Sequence, residues 1–276
     1  MSFLNNLSVI KVSVIIPTYK PKEYLWECLN SLVKQTFSKD NYEVLIVLNG
    51  CCEPWKSDIE RYVSKNMSDM QVRFIQTDEA GVSNARNIGL DRAQGKFVTF
   101  IDDDDYVSSG YLEELSKISS QNTIGLCYPY AFIDGNATVQ IPNRITAQYN
   151  EISRRGILPF VQARKFFSGP VMKLIPMDCI RNRRFDVRFK NGEDSLFMFL
   201  ISDHFQNVAF TDTNICYYRR YRCGSAVTAK QPIRYKLFNT LNLLRAYCSI
   251  YFTSVRTYNF IFFITRILGT IKKLFI

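Results

Sequence analysis

The sequence predicts an α/β protein with a mostly parallel central sheet, and three observations support this fold class. Short runs of β-branched residues alternate with segments of helical periodicity from residue 12 to residue 101. The last of these runs, 96–101, is mainly apolar, as expected of a buried strand. Four consecutive aspartates, 102–105, follow it directly, at the edge where open α/β sheets bind ligands.

The first half of the chain supplies the parallel strands and the helices that connect them. Four runs rich in β-formers predict strands: 12–16, 43–48, 72–75 and 96–101. Apolar residues at helical spacing predict helices in the three intervals: 23–35, 57–65 and 83–93. Pro17 is expected to end the first strand, and the Asn49–Gly50 pair marks a turn after the second.

The second half is less regular. Residues 111–192 contain five prolines, and strands are predicted near 124–133. A helix is expected to start near Asp194 and to run through Ile201, followed by short strands at 208–210 and 215–219. The predicted organisation is a main domain over 1–230 and a basic, amphipathic, helical tail over 231–276.

The chain has 276 residues, of which 35 are basic and 25 acidic, so its net charge is +10. This surplus predicts a polyanionic partner such as a phosphate-bearing substrate, an anionic membrane or a nucleic acid. No nucleic-acid-binding motif is present, and the aspartate run opposes that class of partner. We therefore expect no nucleic acid partner.

Eight scattered cysteines and one histidine, His204, lack the spacing of a zinc site. Free thiols predict a reducing compartment. Residues 1–11 lack the pattern of a signal peptide, and no stretch reaches the length of a spanning helix. These features predict a cytoplasmic protein, with peripheral contact to the inner face of the membrane as an option.

The aspartate run has two interpretations. Closely packed carboxylates repel one another unless a cation offsets them, and Mg²⁺ or Mn²⁺ prefers oxygen ligands from carboxylates, water and substrate phosphates. Alternatively, the aspartates cap the next helix or form a solvated acidic loop. Two aspartates suffice for capping, so four favour the cation.

Six segments, in this order, resemble the motifs of family 2 glycosyltransferases. They are Ser13-Val-Ile-Ile-Pro-Thr-Tyr19, Ser31-Leu-Val-Lys-Gln-Thr36, Glu43-Val-Leu-Ile-Val47, Gly81-Val-Ser-Asn-Ala-Arg-Asn-Ile-Gly89, Gly95-Lys-Phe-Val-Thr-Phe-Ile-Asp-Asp-Asp-Asp105 and Gly192-Glu-Asp-Ser-Leu-Phe197. The resemblance extends over residues 12 to about 228. It implies the GT-A fold and an inverting transfer of sugar from a nucleotide donor, usually with Mn²⁺ or Mg²⁺.

The resemblance also implies a donor site. Pro17, Thr18 and Tyr19 stand where the family holds the base, and Tyr19 offers a stacking face; Pro17 can instead serve only to end the strand. The family often has an acidic residue where this chain has Asn49, which still donates and accepts hydrogen bonds. A UDP-sugar is therefore favoured rather than required. Arg86 is expected beside the nucleotide, with a surface helix position as the alternative.

The family's metal motif maps onto Asp102, Asp103 and Asp104. In that register, Asp102 approaches the ribose or the metal, Asp103 belongs to the nucleotide site, and Asp104 binds the metal that bridges the phosphates. Asp105 competes with Asp104 as a ligand. The metal acts as a Lewis acid on the departing nucleoside diphosphate.

Inversion by single displacement requires a base that removes the proton of the acceptor hydroxyl. Glu193 and Asp194 resemble the family's acidic pair at a helix start, with Asp194 as the base and Glu193 as its neighbour. The alternative is stabilisation of the helix dipole. In the late segment 217–225, Arg219 is the candidate for contact with the diphosphate, and a basic edge strand is the alternative.

The tail carries an apolar stripe opposite a polar one. The apolar stripe comprises Phe260, Ile264, Ile267, Leu268, Ile271 and Phe275; the polar one comprises Asn259, Arg266, Thr270 and Lys273. Such a helix can lie in an anionic membrane interface or pack on the protein. A basic segment can add to a membrane- or phosphate-facing patch or simply be solvated: Arg181, Arg183, Arg184, Arg188 and Lys190.

The sequence thus predicts an inverting, metal-dependent glycosyltransferase of cell-surface polysaccharide biosynthesis, acting on a glycan or lipid-linked acceptor. The alternative is a catalytically inactive module of the same fold that binds a nucleotide-sugar or a glycan. The aspartate run and the Glu193–Asp194 pair argue against that alternative.

Overall fold

The computed structural model describes residues 10–222 and 232–274. Its strands are β1 Val12–Thr18, β2 Tyr42–Asn49, β3 Gln71–Thr77, β4 Phe97–Phe100, β5 Tyr106–Val107, β6 Thr123–Leu126, β7 Tyr128–Ile133, β8 Asn136–Gln140, β9 Leu158–Pro159, β10 Lys173–Pro176, β11 Asn207–Phe210 and β12 Cys216–Tyr221. Its helices are α1 Tyr24–Val33, α2 Trp55–Asn66, α3 Val82–Arg92, α4 Tyr111–Ile118, α5 Arg144–Ile152, α6 Met177–Ile180, α7 Glu193–Leu200, α8 Ile233–Thr253 and α9 Phe260–Lys272.

The main sheet has eight strands in the order β3-β2-β1-β4-β10-β6-β11-β9. Its first four strands are parallel, and β1 and β2 are buried along their whole length. Strand β10 is antiparallel to both neighbours, whereas β6 and β11 are again parallel. The predicted α/β fold with a mostly parallel sheet is confirmed.

A second sheet of four strands, in the order β5-β12-β7-β8, carries the late segment of the chain. Strand β5 follows the aspartate run directly and pairs with β12 through Tyr217 opposite Val107. This pairing places β12 alongside the carboxyl end of β4, which is where the acidic residues lie.

Strand β1 continues through Pro17, so the expectation that this proline ends the strand is wrong. Pro17 lies opposite Val47 of β2. On its other side, β4 pairs with β1 only as far as Ile15 and Phe100. A proline lacks an N–H, and here it stands where β1 has one neighbouring strand, which is a position that prolines tolerate.

The tail forms two helices that pack on α7. Their inner residues are buried and largely aromatic: Leu243, Tyr247, Tyr251, Phe262 and Phe263. The polar residues of α9 face the protein, since Thr270 is buried and Arg266 donates to Ser195 of α7. Within the described ranges, no helix combines the length and apolar character needed to span a bilayer.

Candidate active site

The carboxyl ends of β1 and β2 are tied together beside the aspartate run. The hydroxyl of Thr18 donates to the Asp103 carboxylate at 2.5 Å. The Asn49 amide donates to the Thr18 carbonyl at 2.7 Å and accepts from the Gly81 N–H at 2.9 Å. Asn49 is buried, and both the NH₂ group and the oxygen of its side-chain amide are hydrogen-bonded to backbone groups. Its contact with a base stays a prediction.

The four aspartates have different partners. The run turns on itself, because the Asp105 N–H donates to the Asp102 carbonyl at 3.0 Å. Asp105 is buried and accepts from the Arg220 N–H at 2.8 Å. Asp104 is bound by the guanidinium of Arg222, with its Nη2 at 2.6 Å. The side chains of Asp102 and Asp104 are 36% and 19% exposed, whereas Asp105 supports β12.

Burial raises the pKa of three of these carboxyls. The pKa of Asp103 rises to about 7, mainly because of burial, although the hydrogen bond from Thr18 lowers it. Burial and the neighbouring carboxylates also raise the pKa of Asp104, and that of Asp105 lies well above its ordinary value. The carboxylates repel one another in this partly buried site, which suits a cation.

The residues fit a divalent ion that shares its coordination with phosphates. In the described part of the chain, no three His, Cys, Asp or Glu side chains group closely enough to form a metal cage. Mg²⁺ typically takes one or two carboxylates and completes its shell with water and substrate phosphates. Asp102 and Asp104 can supply those two oxygens, provided that Arg222 releases Asp104.

Arg86 links the aspartate run to the acidic pair of α7. Its Nη2 donates to Asp102 at 2.9 Å and its Nη1 to Asp194 at 2.6 Å. Arg86 is only 3% exposed, so the alternative of a surface helix position is wrong. Asp102 and Asp194, which are far apart in the sequence, thus share one guanidinium.

Glu193 and Asp194 begin α7, after Gly192 at a φ of +95°. Burial raises the pKa of Asp194, although the charge of Arg86 lowers it. The pKa of Glu193 rises to about 7, through burial and repulsion by Asp194. A carboxylate whose pKa is shifted towards neutrality is a suitable general base.

Other residues of the sequence prediction occupy different places. Tyr19 is half exposed, at 51%, directly after β1. Arg219 lies near Asp102 and Asp105, which raise its pKa against the effect of burial. Gly224 and Ser225 of the late segment lie outside the described residues. His204 lies 3.8 Å from Asp203, and we assign it no catalytic role.

Sequence reasoning missed three residues of the site. The Tyr217 hydroxyl accepts a hydrogen bond from the Asp102 backbone N–H at 3.1 Å, and Arg222 binds Asp104. Lys173 is fully buried and donates to the carbonyls of Gly169 and Val171 at 2.6 and 2.5 Å. The signal for Lys173 was its position inside an apolar strand, where a charge requires partners.

Comparison with known proteins agrees with this geometry. The family model described as "Glycosyl transferase family 2" matches residues 13–183. TarS of Staphylococcus aureus, a poly(ribitol-phosphate) beta-N-acetylglucosaminyltransferase, is 26% identical over 222 residues, which are 80% of this chain and 37% of TarS. The minor teichoic acid biosynthesis protein GgaB of Bacillus subtilis is 28% identical over 233 residues, 82% of this chain and 25% of GgaB.

A third relative is the GalNAc(5)-diNAcBac-PP-undecaprenol beta-1,3-glucosyltransferase of Campylobacter jejuni. It is 26% identical over 201 residues, which are 70% of this chain and 60% of that protein. The chain therefore spans less than two thirds of the length of these relatives.

Solved structures share the fold. TarS 1–349 in complex with UDP-GlcNAc superposes with a TM-score of 0.67 at 22% identity, covering 86% of this chain and 66% of that one. The mannosyltransferase PcManGT from Pyrobaculum calidifontis, in complex with GDP-Man and Mn²⁺, gives a TM-score of 0.62 at 17% identity, covering 96% and 69%. Because the family model matches more than half of the chain, the chain belongs to glycosyl transferase family 2.

Proposed function

We propose that the chain is an inverting glycosyltransferase that moves a sugar from a UDP-sugar to a glycan or lipid-linked acceptor of the cell surface. The observation that carries the proposal is the bridge of Arg86 between Asp102 and Asp194. It sets a carboxylate for the donor and a carboxylate for the acceptor on either side of one buried cation. A catalytically inactive binding module has no need for the second carboxylate.

In the proposed reaction, the acceptor hydroxyl attacks the anomeric carbon of the donor. Asp194 accepts the hydroxyl proton as the new C–O bond forms, and the bond from that carbon to the nucleoside diphosphate breaks on the opposite face. Burial and the charge of Asp102 raise the pKa of Asp194, while Arg86 keeps the carboxylate oriented. Protonation of Asp194 leaves Arg86 paired with Asp102.

The donor side uses the edge of β1 and the late strand β12. We propose that Pro17, Thr18, Tyr19 and Asn49 surround the base, and that Arg219 approaches the diphosphate. TarS structures contain UDP and UDP-GlcNAc, which supports a UDP-sugar.

The metal side uses the aspartate run. Mn²⁺ or Mg²⁺, held by Asp102 and Asp104, would supply Lewis-acid stabilisation of the leaving diphosphate. The presence of Mn²⁺ in PcManGT supports a metal here. Asp103 is hydrogen-bonded to Thr18, and Asp105 is hydrogen-bonded to the Arg220 N–H of β12. Neither is therefore our preferred metal ligand.

The C-terminal helices form the second part of the proposal, namely contact with an anionic membrane at the inner face. Their outer side exposes Leu237, Phe238, Leu241, Phe252, Phe260, Ile261 and Leu268. No acidic residue follows Asp212 in the sequence, so this side combines apolar surface with positive charge. We keep the predicted division into a 1–230 catalytic domain and a 231–276 tail on this basis.

The basic segment near α6 contributes less to that contact than its sequence suggested. Arg183 pairs with Asp203, Arg184 with Asp91 and Arg188 with Asp186. Three of its five cations are therefore neutralised within the protein.

The catalytic proposal is tested by Asp194→Asn. We expect UDP binding in the presence of Mn²⁺ to stay within about twofold of the wild type, while transfer from UDP-sugars falls by about 10²–10⁴-fold, as general-base removal does. Asp212→Asn, a change of the same type away from the site, is the control. Near-normal turnover of Asp194→Asn would exclude the assigned base, and a folded wild type that binds UDP without any transfer would favour the inactive module.

The membrane proposal is tested by flotation with vesicles. We expect the protein to float with phosphatidylglycerol vesicles and not with phosphatidylcholine ones, and Phe238→Ser to weaken flotation by about threefold or more. Ile157→Ser is a matched control, because both side chains are 67% exposed and Ile157 lies outside the tail. Equal flotation of the two variants would contradict the proposal.

A further inference from the structure

Four cations from separate segments group beside the start of α7. Arg144 is the first residue of α5, Arg164 lies between β9 and β10, and Arg266 and Lys273 come from α9 and its C-terminal cap. We call these four residues the basic cluster. The sequence separates its members by up to 129 positions, so the packing of α9 on the catalytic domain creates it.

Arg266 fixes the cluster to the catalytic helix. Its guanidinium donates to the Ser195 hydroxyl at 3.1 Å and to the carbonyls of Phe167 and Arg164 at 3.3 and 2.7 Å. Ser195 follows the proposed base Asp194 directly. The cluster is therefore held beside the helix that carries the proposed base.

The cluster has an excess of positive charge. Within the described ranges, none of its members forms an ion pair with a carboxylate. Burial and the charges of Arg144 and Arg164 lower the pKa of Arg266 to about 10, against an opposing effect of Tyr247. Burial and the charges of Arg144 and Arg266 also lower the pKa of Lys273.

The nearest negative groups are those of the proposed catalytic pair. Glu193 and Asp194 act on Lys273 in the opposite direction and raise its pKa. One oxygen of Glu193 is buried without a hydrogen-bond partner. Asp194 is already paired with Arg86, so the four cations exceed the carboxylates near them, and a folded protein tolerates such a surplus best where an anion binds.

We propose that the basic cluster binds a phosphate group of the acceptor and thereby brings the acceptor hydroxyl to Asp194. Guanidinium and ammonium groups recognise phosphate through charge-assisted hydrogen bonds. Arg144 and the partly desolvated Lys273 both keep exposed surface and can reach a ligand, whereas Arg266 is hydrogen-bonded to backbone carbonyls and holds the cluster in place. The identity of the ligand as the acceptor rests on the proposed function.

The test uses the full chain and the double variant Arg144→Gln/Lys273→Gln, which leaves the buried Arg266 in place. Binding of sn-glycerol 1-phosphate is measured by calorimetry with UDP and Mn²⁺ present to occupy the donor site. We expect the double variant to bind at least about tenfold more weakly, a loss of roughly 1.4 kcal/mol or more, because two cations that hydrogen-bond the phosphate are removed. UDP binding and the thermal midpoint should not change.

The matched control is Arg154→Gln/Arg155→Gln, which removes the same charge from two exposed arginines beyond the other end of α5. Equal binding by both doubles would overturn the proposal, because the effect would then be one of net charge. The proposal would also be overturned if Arg144→Gln/Lys273→Gln lost binding to phosphatidylglycerol vesicles but still bound glycerol phosphate. The phosphate recognised by the cluster would then be that of a membrane lipid. Active Asp194→Asn would refute the base and leave phosphate binding by the cluster intact.

Discussion

A lysine with no solvent exposure lies behind the acidic site. Lys173 begins β10, and its ammonium group holds the carbonyls of Gly169 and Val171. A Cβ on Gly169 would lie 3.7 Å from the Asp194 carboxylate, so Lys173 fixes a turn that borders the proposed base. Burial lowers the pKa of Lys173 to about 7, against an opposing effect of Asp194.

This shift predicts a pH dependence of stability. The pKa of Lys173 is lower in the folded state, so between pH 7 and its ordinary pKa of 10.5 the unfolded chain holds more protons. Stability from this group therefore rises with pH across that window and is lowest below it. We expect Lys173→Met to remove a rise of about 2–5 kcal/mol, at roughly 1.4 kcal/mol per pKa unit.

Urea unfolding of the wild type and Lys173→Met at pH 6.5 and 9.5 measures this effect. The loss of two hydrogen bonds to Lys173 shifts the stability of the variant equally at both pH values, and other titrating groups are common to both proteins. The difference between the two slopes therefore isolates Lys173. Parallel slopes would show that its ammonium group keeps an ordinary pKa.

The ion pair of Arg222 with Asp104 predicts competition for metal. The guanidinium occupies the carboxylate that we assign to the cation, with Nε at 2.8 Å and Nη2 at 2.6 Å. Without nucleotide, Arg222→Gln should bind Mn²⁺ about 5–20-fold more tightly, as removal of one partly buried ion pair allows. Arg61→Gln, which is exposed and on α2, controls for net charge. Electron paramagnetic resonance measures the Mn²⁺ affinity of both variants. Equal affinities would contradict the competition between Arg222 and the metal.

At the level of elements, the start of α7 depends on a glycine with no room for a side chain. Gly192 has a φ of +95°, and a Cβ there would lie 2.6 Å from the Leu243 side chain of α8. We expect Gly192→Ala to lose about 2–4 kcal/mol of stability, of which roughly 1–2 kcal/mol is backbone strain and the rest overpacking. Transfer activity should fall as well, because the helix that carries Asp194 must move.

A matched control separates the two causes. Gly135 also has a positive φ, of +82°, but a Cβ there meets nothing within 4 Å. Gly135→Ala should therefore show the strain alone and keep full activity. Adding Leu243→Ala to Gly192→Ala should recover activity by relieving the clash, as measured by kcat and the thermal midpoint. Similar losses in both glycine variants would show that the contact with Leu243 is unimportant.

The elements with clear periodicity were predictable, and those defined by long-range pairing were not. The runs at 12–16, 43–48 and 72–75 and the helix after Gly81 lie where the sequence placed them. The interval 111–192 was expected to be irregular, yet it forms α4, α5 and the antiparallel β10. Strand β10 has four residues, and its place between β4 and β6 depends on partners far away in the sequence.

The site shows the same limit at the level of the whole molecule. Sequence motifs indicated Arg86, the aspartate run and the acidic pair, because each motif is local. The bridge that Arg86 makes over 108 positions, and the binding of Asp104 by Arg222, are products of tertiary packing. The tail followed the same rule, since its amphipathic pattern was evident but its orientation was not. Arg266 and Thr270 face the protein, whereas Phe260 and Leu268 face solvent.

That orientation changes how the tail can be tested. Removal of residues 231–276 would be a direct test of membrane contact if the tail were separate from the catalytic domain. However, α8 and α9 cover α7. Tyr247 hydrogen-bonds Ser195 at 2.8 Å, and Tyr258 donates to the Leu200 carbonyl at 3.0 Å. A chain that ends at Lys230 exposes the apolar face that these helices bury. A change in its membrane binding is therefore not specific to the tail's outer surface.

We predict that the chain ending at Lys230 aggregates or unfolds at a thermal midpoint at least about 10 °C lower than the full chain. Several buried aromatic side chains lose their partners in this variant, and the burial of each is worth roughly 1.5–3 kcal/mol. The outer-face variant Phe238→Ser should keep the wild-type midpoint, since that side chain is already 67% exposed. Differential scanning calorimetry of the three proteins decides this. A truncated chain as stable as the full one would mean that the tail is an independent appendage, and only then would its removal be a clean test of membrane binding.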